Sequence, residues 1–85
     1  VIYLVYGITD CPACLKAQAE LMGRDIEYVF INADFSSTYR SAIKEEMEWN
    51  TFPIIVKVSS DSEEELIGGY DDLLYVLDRE AKTPT

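Results

Sequence analysis

Cys11 and Cys14 are the only cysteines among the 85 residues, and a proline directly follows the first of them. A pair of thiols three positions apart has three chemical uses: half of a metal site, a structural staple, or a dithiol that opens and closes as it passes electrons. A closed structural zinc site takes about four nitrogen or sulfur ligands. This chain offers two thiols and no histidine, so such a site would need a second chain or carboxylates. A staple across three residues closes a very small loop and removes little entropy from the unfolded chain. Reversible thiol–disulfide exchange is the use that this spacing serves best.

The residues around the pair support that use. From Pro12 to about Gly23 they are good helix formers, with proline suited to a first helical position and glycine to a terminus. Cys11 then falls at the N-cap. There the unsatisfied N–H groups and the positive end of the helix dipole favour a thiolate, and such a placement lowers a thiol from about 8.5 into a range of roughly 3.5 to 7.5. Cys14 lies one turn on, so the two sulfurs can meet with little backbone motion. Cys11 is thus expected to attack a substrate disulfide and Cys14 to resolve the mixed disulfide. Asp10 opposes the thiolate by its charge, and Lys16 is the only basic residue close in sequence that could offset it.

The elements that must hold this pair follow from periodicity. Residues 1–6, VIYLVY, form a continuous apolar run ended by Gly7, which predicts a strand buried on both faces. Helix one begins at the cysteines, with Cys14, Gln18, Leu21 and Met22 near one face and Lys16 and Glu20 on another. Residues 27–32, EYVFIN, form a second strand, and a helix between two such strands makes a βαβ unit with parallel strands. In 36–48, Tyr39, Ile43 and Met47 recur four apart and predict an amphipathic helix. A strand over Ile54–Val58, a polar turn at Ser59–Ser62 and a short strand ending at Ile67 make a hairpin. A last helix over residues 70–82 places Leu73, Leu74 and Leu77 on one face, with Asp71 and Asp72 at its start. Thr83–Thr85 read as a frayed tail. The order β-α-β-α-β-β-α predicts an α/β sandwich: a four-stranded mixed sheet with helices on both sides, in a single domain over residues 1–85.

Three separated motifs cover most of the chain: YGITDCPAC after the first strand, TFP before the hairpin, and GGYDDL before the last helix. Together they resemble the short dithiol glutaredoxins, which have the thioredoxin fold. The resemblance implies a glutathione-dependent oxidoreductase with Cys11 as nucleophile and Cys14 as resolving thiol. It implies a cis Phe52–Pro53 bond beside the cysteines, with the backbone of Phe52 pairing with the cysteine of glutathione like an added strand. It likewise implies that Thr51, Phe52 and Pro53 face Gly68, Gly69, Tyr70 and Asp71 across a glutathione groove, with the Asp71 carboxylate toward the γ-glutamyl end. Without the resemblance, Pro53 reads as an edge-strand start with a trans bond. The glycines then read as a turn, with Asp71 or Asp72 capping a helix. Many relatives carry a lysine three positions before the first cysteine and a tyrosine between the two. Ile8 and Ala13 stand there instead, which weakens the expected hold on glutathione. Trp49 and Tyr6 read as packing.

Seven basic and sixteen acidic residues give a net charge of −9, which repels nucleic acid and anionic lipid; it reads first as a solvated surface that keeps the protein soluble, and alternatively as a field that steers the domain toward a basic face on a protein partner. No apolar run approaches the roughly 20 residues of a spanning helix. A soluble, cytoplasmic monomer without metal is expected. Its expected partners are glutathione and disulfide-bearing proteins, among which the resemblance counts ribonucleotide reductase. Two other roles stand beside this one: a thioredoxin-like carrier served by a flavin reductase, and a dimer holding an iron–sulfur cluster through Cys11 and glutathione.

Overall fold

The computed structural model describes residues 1–82, with side chains as far as Glu80; the tail Thr83–Thr85 lies outside the described residues. The elements follow as β1 (Ile2–Gly7), α1 (Pro12–Gly23), β2 (Tyr28–Asn32), α2 (Ser37–Met47), β3 (Ile54–Val58), β4 (Glu64–Gly68) and α3 (Tyr70–Lys82). One four-stranded sheet runs in the order β2-β1-β3-β4. β1 pairs parallel with β2 and antiparallel with β3, and β4 is antiparallel to β3. The sheet is mixed, as the element order predicts.

Differences from expectation lie at the ends of elements and have local causes. Ser36 stays outside α2 because its hydroxyl caps the helix, accepting the Tyr39 N–H at 3.1 Å. Glu48 also stays outside: it takes the left-handed conformation, with φ 53°, that ends the helix. β2 begins at Tyr28 rather than residue 27, and β4 runs on to Gly68 rather than ending at Ile67. The register between β3 and β4 shifts at Ile55/Val56, leaving Ile67 without a partner of its own.

β1 is not buried on both faces. Tyr3, Val5 and Gly7 are buried, while Ile2, Leu4 and Tyr6 are only half-buried. The two faces are covered unequally. On one, α1 and α3 pack over the strands, and Tyr3, Val5, Ala17, Leu21, Ile55, Leu73 and Leu77 form the core cluster. Each such side chain, fully buried, contributes about 1.5–3 kcal/mol for the larger aliphatics. Toward the other face, Tyr6 lies near Tyr39 of α2, and Ile43, Ile54 and Val56 are buried outside that cluster. On α1 the buried stripe is Cys14, Ala17 and Leu21. Met22, expected on that face, is exposed instead, because α3 meets the helix on the side of Ala17 and Leu21.

The end of α3 is tied back to the sheet. The buried Tyr3 hydroxyl donates to Glu80 Oε1 at 3.3 Å, and Lys57 Nζ on β3 reaches the same oxygen at 3.0 Å. Arg24, at the end of α1, bridges Glu20 at 2.9 Å and Asp78 of α3 at 2.8 Å.

Burial first, and then the Glu80 carboxylate, pushes the Tyr3 phenol from an ordinary 10.0 up to about 12. The unfolded chain therefore releases this proton before the folded one. The contribution is complete below about pH 10 and is lost as pH rises through about 12. Urea unfolding of the parent should show stability falling across that window. Tyr3→Phe should fall less steeply there, and equal slopes for the two proteins would contradict the burial of this hydroxyl against Glu80.

Candidate active site

The sheet directions bring three distant segments to one end. β1 and β2 run parallel, and both deliver their C-terminal ends there, with Gly7 opposite Asn32. β3 runs the other way, so it starts there, with Ile54 opposite Tyr6. β4 returns and ends there, with Gly68 opposite Ile55. The loop before α1, the 51–53 segment and the start of α3 are therefore neighbours, although more than forty positions separate Cys11 from Phe52 and Gly69.

Cys11 is the N-cap residue of α1, with extended backbone angles of φ −117° and ψ 97°. Its carbonyl accepts the Leu15 N–H at 3.2 Å, and its sulfur accepts the Cys14 N–H at 3.1 Å. The two cysteines form a disulfide, with Cα atoms 5.2 Å apart. Their environments differ. Cys11 is half-buried, at the edge of the site, whereas Cys14 is 1% exposed. Across from the pair, the Cys11 sulfur lies 3.8 Å from the Phe52 carbonyl oxygen. The Phe52–Pro53 bond is cis.

A groove of about 300 Å³ opens beside the pair. Thr51, Phe52 and Pro53 form one wall, and Gly69, Tyr70 and Asp71 the other. Six of the seven residues expected along the groove line it, next to the loop that carries both cysteines; Gly68 does not, since it closes β4 behind the Asp72 carboxylate. Ala13, from between the cysteines, lines it as well. A larger hollow of about 400 Å³, lined by Met22, Asp25, Ile26, Glu27 and Tyr28, lies at the opposite end of the sheet and holds no thiol.

The start of α3 divides the work of its two carboxylates. Asp72 Oδ2 accepts the Gly69 N–H at 3.0 Å, and the Gly69 carbonyl accepts the Leu73 N–H at 3.0 Å. Asp72 is therefore the capping carboxylate. Asp71 is exposed, lines the groove and is left available to a ligand. Gly68 has φ 121°, and a Cβ there would sit 2.7 Å from the Asp72 carboxylate, so a side chain would obstruct this cap.

Two residues, Gly7 and Trp49, gain a place in the site that the sequence did not assign to them. A Cβ on Gly7 would meet the Phe30 ring at 2.6 Å and the Cys14 sulfur at 3.0 Å, so the bare backbone is what lets Cys14 bury itself against the end of β1. A glycine closing an apolar strand is the available signal for such an approach. Of the two carboxylates expected as caps, Asp72 is the one that does so. Trp49 lines the groove rather than only packing, and its indole N–H is buried without a partner among the described residues.

The electrostatics near Cys11 are local and mostly backbone. Thr9 donates to Asp34 Oδ2 at 3.4 Å. Hydrogen bonds from Thr9 are the main reason that the Asp34 carboxyl sits below its ordinary value, with Arg40 adding to them. Asp10 is exposed with φ 54°, turning the chain into Cys11. Lys16 is exposed and makes no ion pair among the described residues, and the group directed at the Cys11 sulfur is the Cys14 N–H.

The model of the glutaredoxin family matches residues 2–59. Among solved structures, the chain is similar to the glutaredoxin of Brucella melitensis, with TM-score 0.73 and 34% identity over 96% of this chain and 83% of that one. Reduced glutaredoxin of Escherichia coli shares the fold, with TM-score 0.71 and 19% identity over 98% of this chain and 100% of that one. So does buckwheat glutaredoxin, solved as a complex with glutathione, with TM-score 0.73 and 20% identity over 94% of this chain and 70% of that one. A search of curated proteins finds no match. With the family model over most of its length and its dithiol at the opening of α1, the chain belongs to the glutaredoxins, a family of thiol–disulfide oxidoreductases.

Proposed function

We propose that this oxidoreductase uses glutathione as reductant to reduce protein disulfides or protein–glutathione mixed disulfides, with Cys11 as nucleophile and Cys14 as resolving thiol. The unequal burial of the two cysteines carries this assignment: Cys11 at the helix start is half-buried, whereas Cys14 is 1% exposed. An incoming disulfide is met first by the sulfur it can reach.

In the reduced protein the Cys11 thiolate attacks one sulfur of the substrate disulfide. A new S–S bond forms, and the other substrate sulfur leaves as a thiolate that takes up a proton. The Cys14 thiolate then attacks Cys11 within this mixed disulfide. The Cys11–Cys14 bond forms and the second substrate thiol departs, so the substrate gains two electrons and the dithiol loses them. Two glutathione thiols return the pair to its reduced form and become glutathione disulfide. The helix start and the Cys14 N–H, at 3.1 Å, favour the Cys11 thiolate as attacking group and again as leaving group.

The groove supports glutathione as the reductant. Backbone groups at Phe52 offer strand-like pairing, and the N-terminus of α3 at Tyr70 and Asp71 suits a carboxylate. With Asp72 engaged by Gly69, Asp71 is the carboxylate that remains for the γ-glutamyl amine. The glutathione complex of the buckwheat protein, which shares the fold, supports the same ligand. Ile8 and Ala13 leave the grip weaker than in relatives with lysine and tyrosine there. The protein acts as a cytoplasmic monomer, since a dithiol is kept reduced in that compartment, and its substrates include the disulfide of ribonucleotide reductase. Among the described residues no helix is long and apolar enough to cross a membrane. Nor do they hold a group of three or more His, Cys, Asp or Glu able to bind a metal.

Turnover of a small mixed disulfide, coupled to glutathione and glutathione reductase, should vanish in Cys11→Ser and persist in large part in Cys14→Ser. Parent-like turnover of Cys11→Ser would end the assignment. Faster reduction of the parent by thioredoxin reductase than by glutathione would replace the reductant.

Alkylation of the reduced protein by iodoacetamide should titrate with a midpoint below the free-thiol value of about 8.5. A midpoint at or above it would show that Asp10 outweighs the helix start.

A further inference from the structure

The walls of the groove carry an uneven set of charges. Among the residues that line it, Asp71 and Asp72 are the charged ones, and none is a lysine or arginine. Exposed Asp10 adds a third carboxylate next to Cys11 in sequence. Three aromatic residues, Trp49, Phe52 and Tyr70, supply the rest of the large surface. A cation is attracted to the face of such rings as well as to carboxylates. Phe52 is already engaged, with the Lys44 ammonium 5.3 Å from its ring centre, so Trp49 and Tyr70 are the rings that remain for a substrate. The surrounding field has the same sign, since the whole chain carries −9.

We infer that the oxidised substrates this groove favours are protein disulfides flanked by lysine or arginine. The inference rests on the exchange reaction proposed above and names its substrate class. When Cys11 attacks, the segment bearing the substrate cysteine must lie along the groove between the Thr51–Pro53 wall and the start of α3. A basic side chain beside that cysteine then meets Asp71 and the rings of Trp49 and Tyr70, while an acidic one meets like charge. The long-range field adds to this by speeding the approach of a cationic segment, an effect that can reach about ten- to a thousandfold in rate and falls steeply with salt. Ile8 fits the same picture: that position before Cys11 supplies no positive charge for an anionic substrate.

The test uses three synthetic peptides with one identical disulfide loop, flanked by Lys and Arg, by Ser, or by Glu. Each rate is divided by the rate of the same peptide with dithiothreitol, which removes the effect of the flanking charges on the disulfide itself. At low ionic strength the normalised kcat/KM should be at least about tenfold higher for the basic peptide than for the acidic one, with the neutral peptide between. The ratio should shrink as salt shortens the screening length from about 30 Å at 0.01 M to about 8 Å at 0.15 M. Asp71→Asn should narrow it at low salt. Equal rates, or a faster acidic peptide, would overturn the inference. The neutral hydroxyethyl disulfide separates the two levels: a parent that reduces it but does not discriminate among the peptides loses only the substrate class. A parent inactive on it loses the exchange reading and this inference with it.

Discussion

The Cys11 sulfur is held between two pieces of backbone, and the remaining architecture serves that placement. On one side the opening turn of α1 directs the Cys14 N–H at it from 3.1 Å. On the other the Phe52 carbonyl oxygen stands 3.8 Å away. The first favours negative charge on sulfur, because an N-terminal turn has N–H groups with no carbonyl partners of their own. The second brings the wall of the groove within reach of whatever bonds to that sulfur. Neither contact depends on a long flexible side chain, so both are set by where β1, α1 and β3 lie.

The position of those elements is in turn a matter of packing. Tyr3, Val5 and Ile55 of the central strands face Ala17 and Leu21 of α1 and Leu73 and Leu77 of α3 in one cluster. Moving α1 along the sheet would open that cluster and shift the cysteines together. Gly7 sets the closest approach, since the Phe30 ring and the Cys14 sulfur occupy the space that any side chain there would need. The deep burial of Cys14 beside a half-buried Cys11 thus depends on a missing Cβ on the strand before them. At the start of α3 a similar economy operates. Asp72 takes the capping bond to Gly69, which leaves the adjacent Asp71 carboxylate exposed in the groove.

Much of this was legible in the residues because it depends on local rules. The Cys-Pro-Ala-Cys spacing and the helix formers behind it place Cys11 at an N-cap wherever the helix happens to pack. The apolar periods assign each strand and helix to within a residue or two, and the three motifs carry the family. The residues that were misjudged depend on neighbours far along the chain. Met22 has the right period for the buried stripe but is exposed, because α3 covers Ala17 and Leu21 instead. VIYLVY reads as a doubly buried strand, yet its even positions remain half-buried where the opposite face is less completely covered. Trp49 reads as core, and only the closing of the 49–53 segment against Gly69 turns it toward the groove.

By itself, then, the sequence determined the order of elements, the helix start at Cys11, the pairing of the two thiols and the negative sign of the surrounding field. These follow from backbone propensity, spacing and the count of charges, none of which needs a distant partner. Only the tertiary structure decided that Cys14 is the more deeply buried cysteine, that Phe52 faces Cys11, and that Asp72 rather than Asp71 caps α3. Those outcomes hang on parallel and antiparallel strand directions and on steric exclusion at Gly7 and Gly68, contacts between segments that the linear order keeps apart.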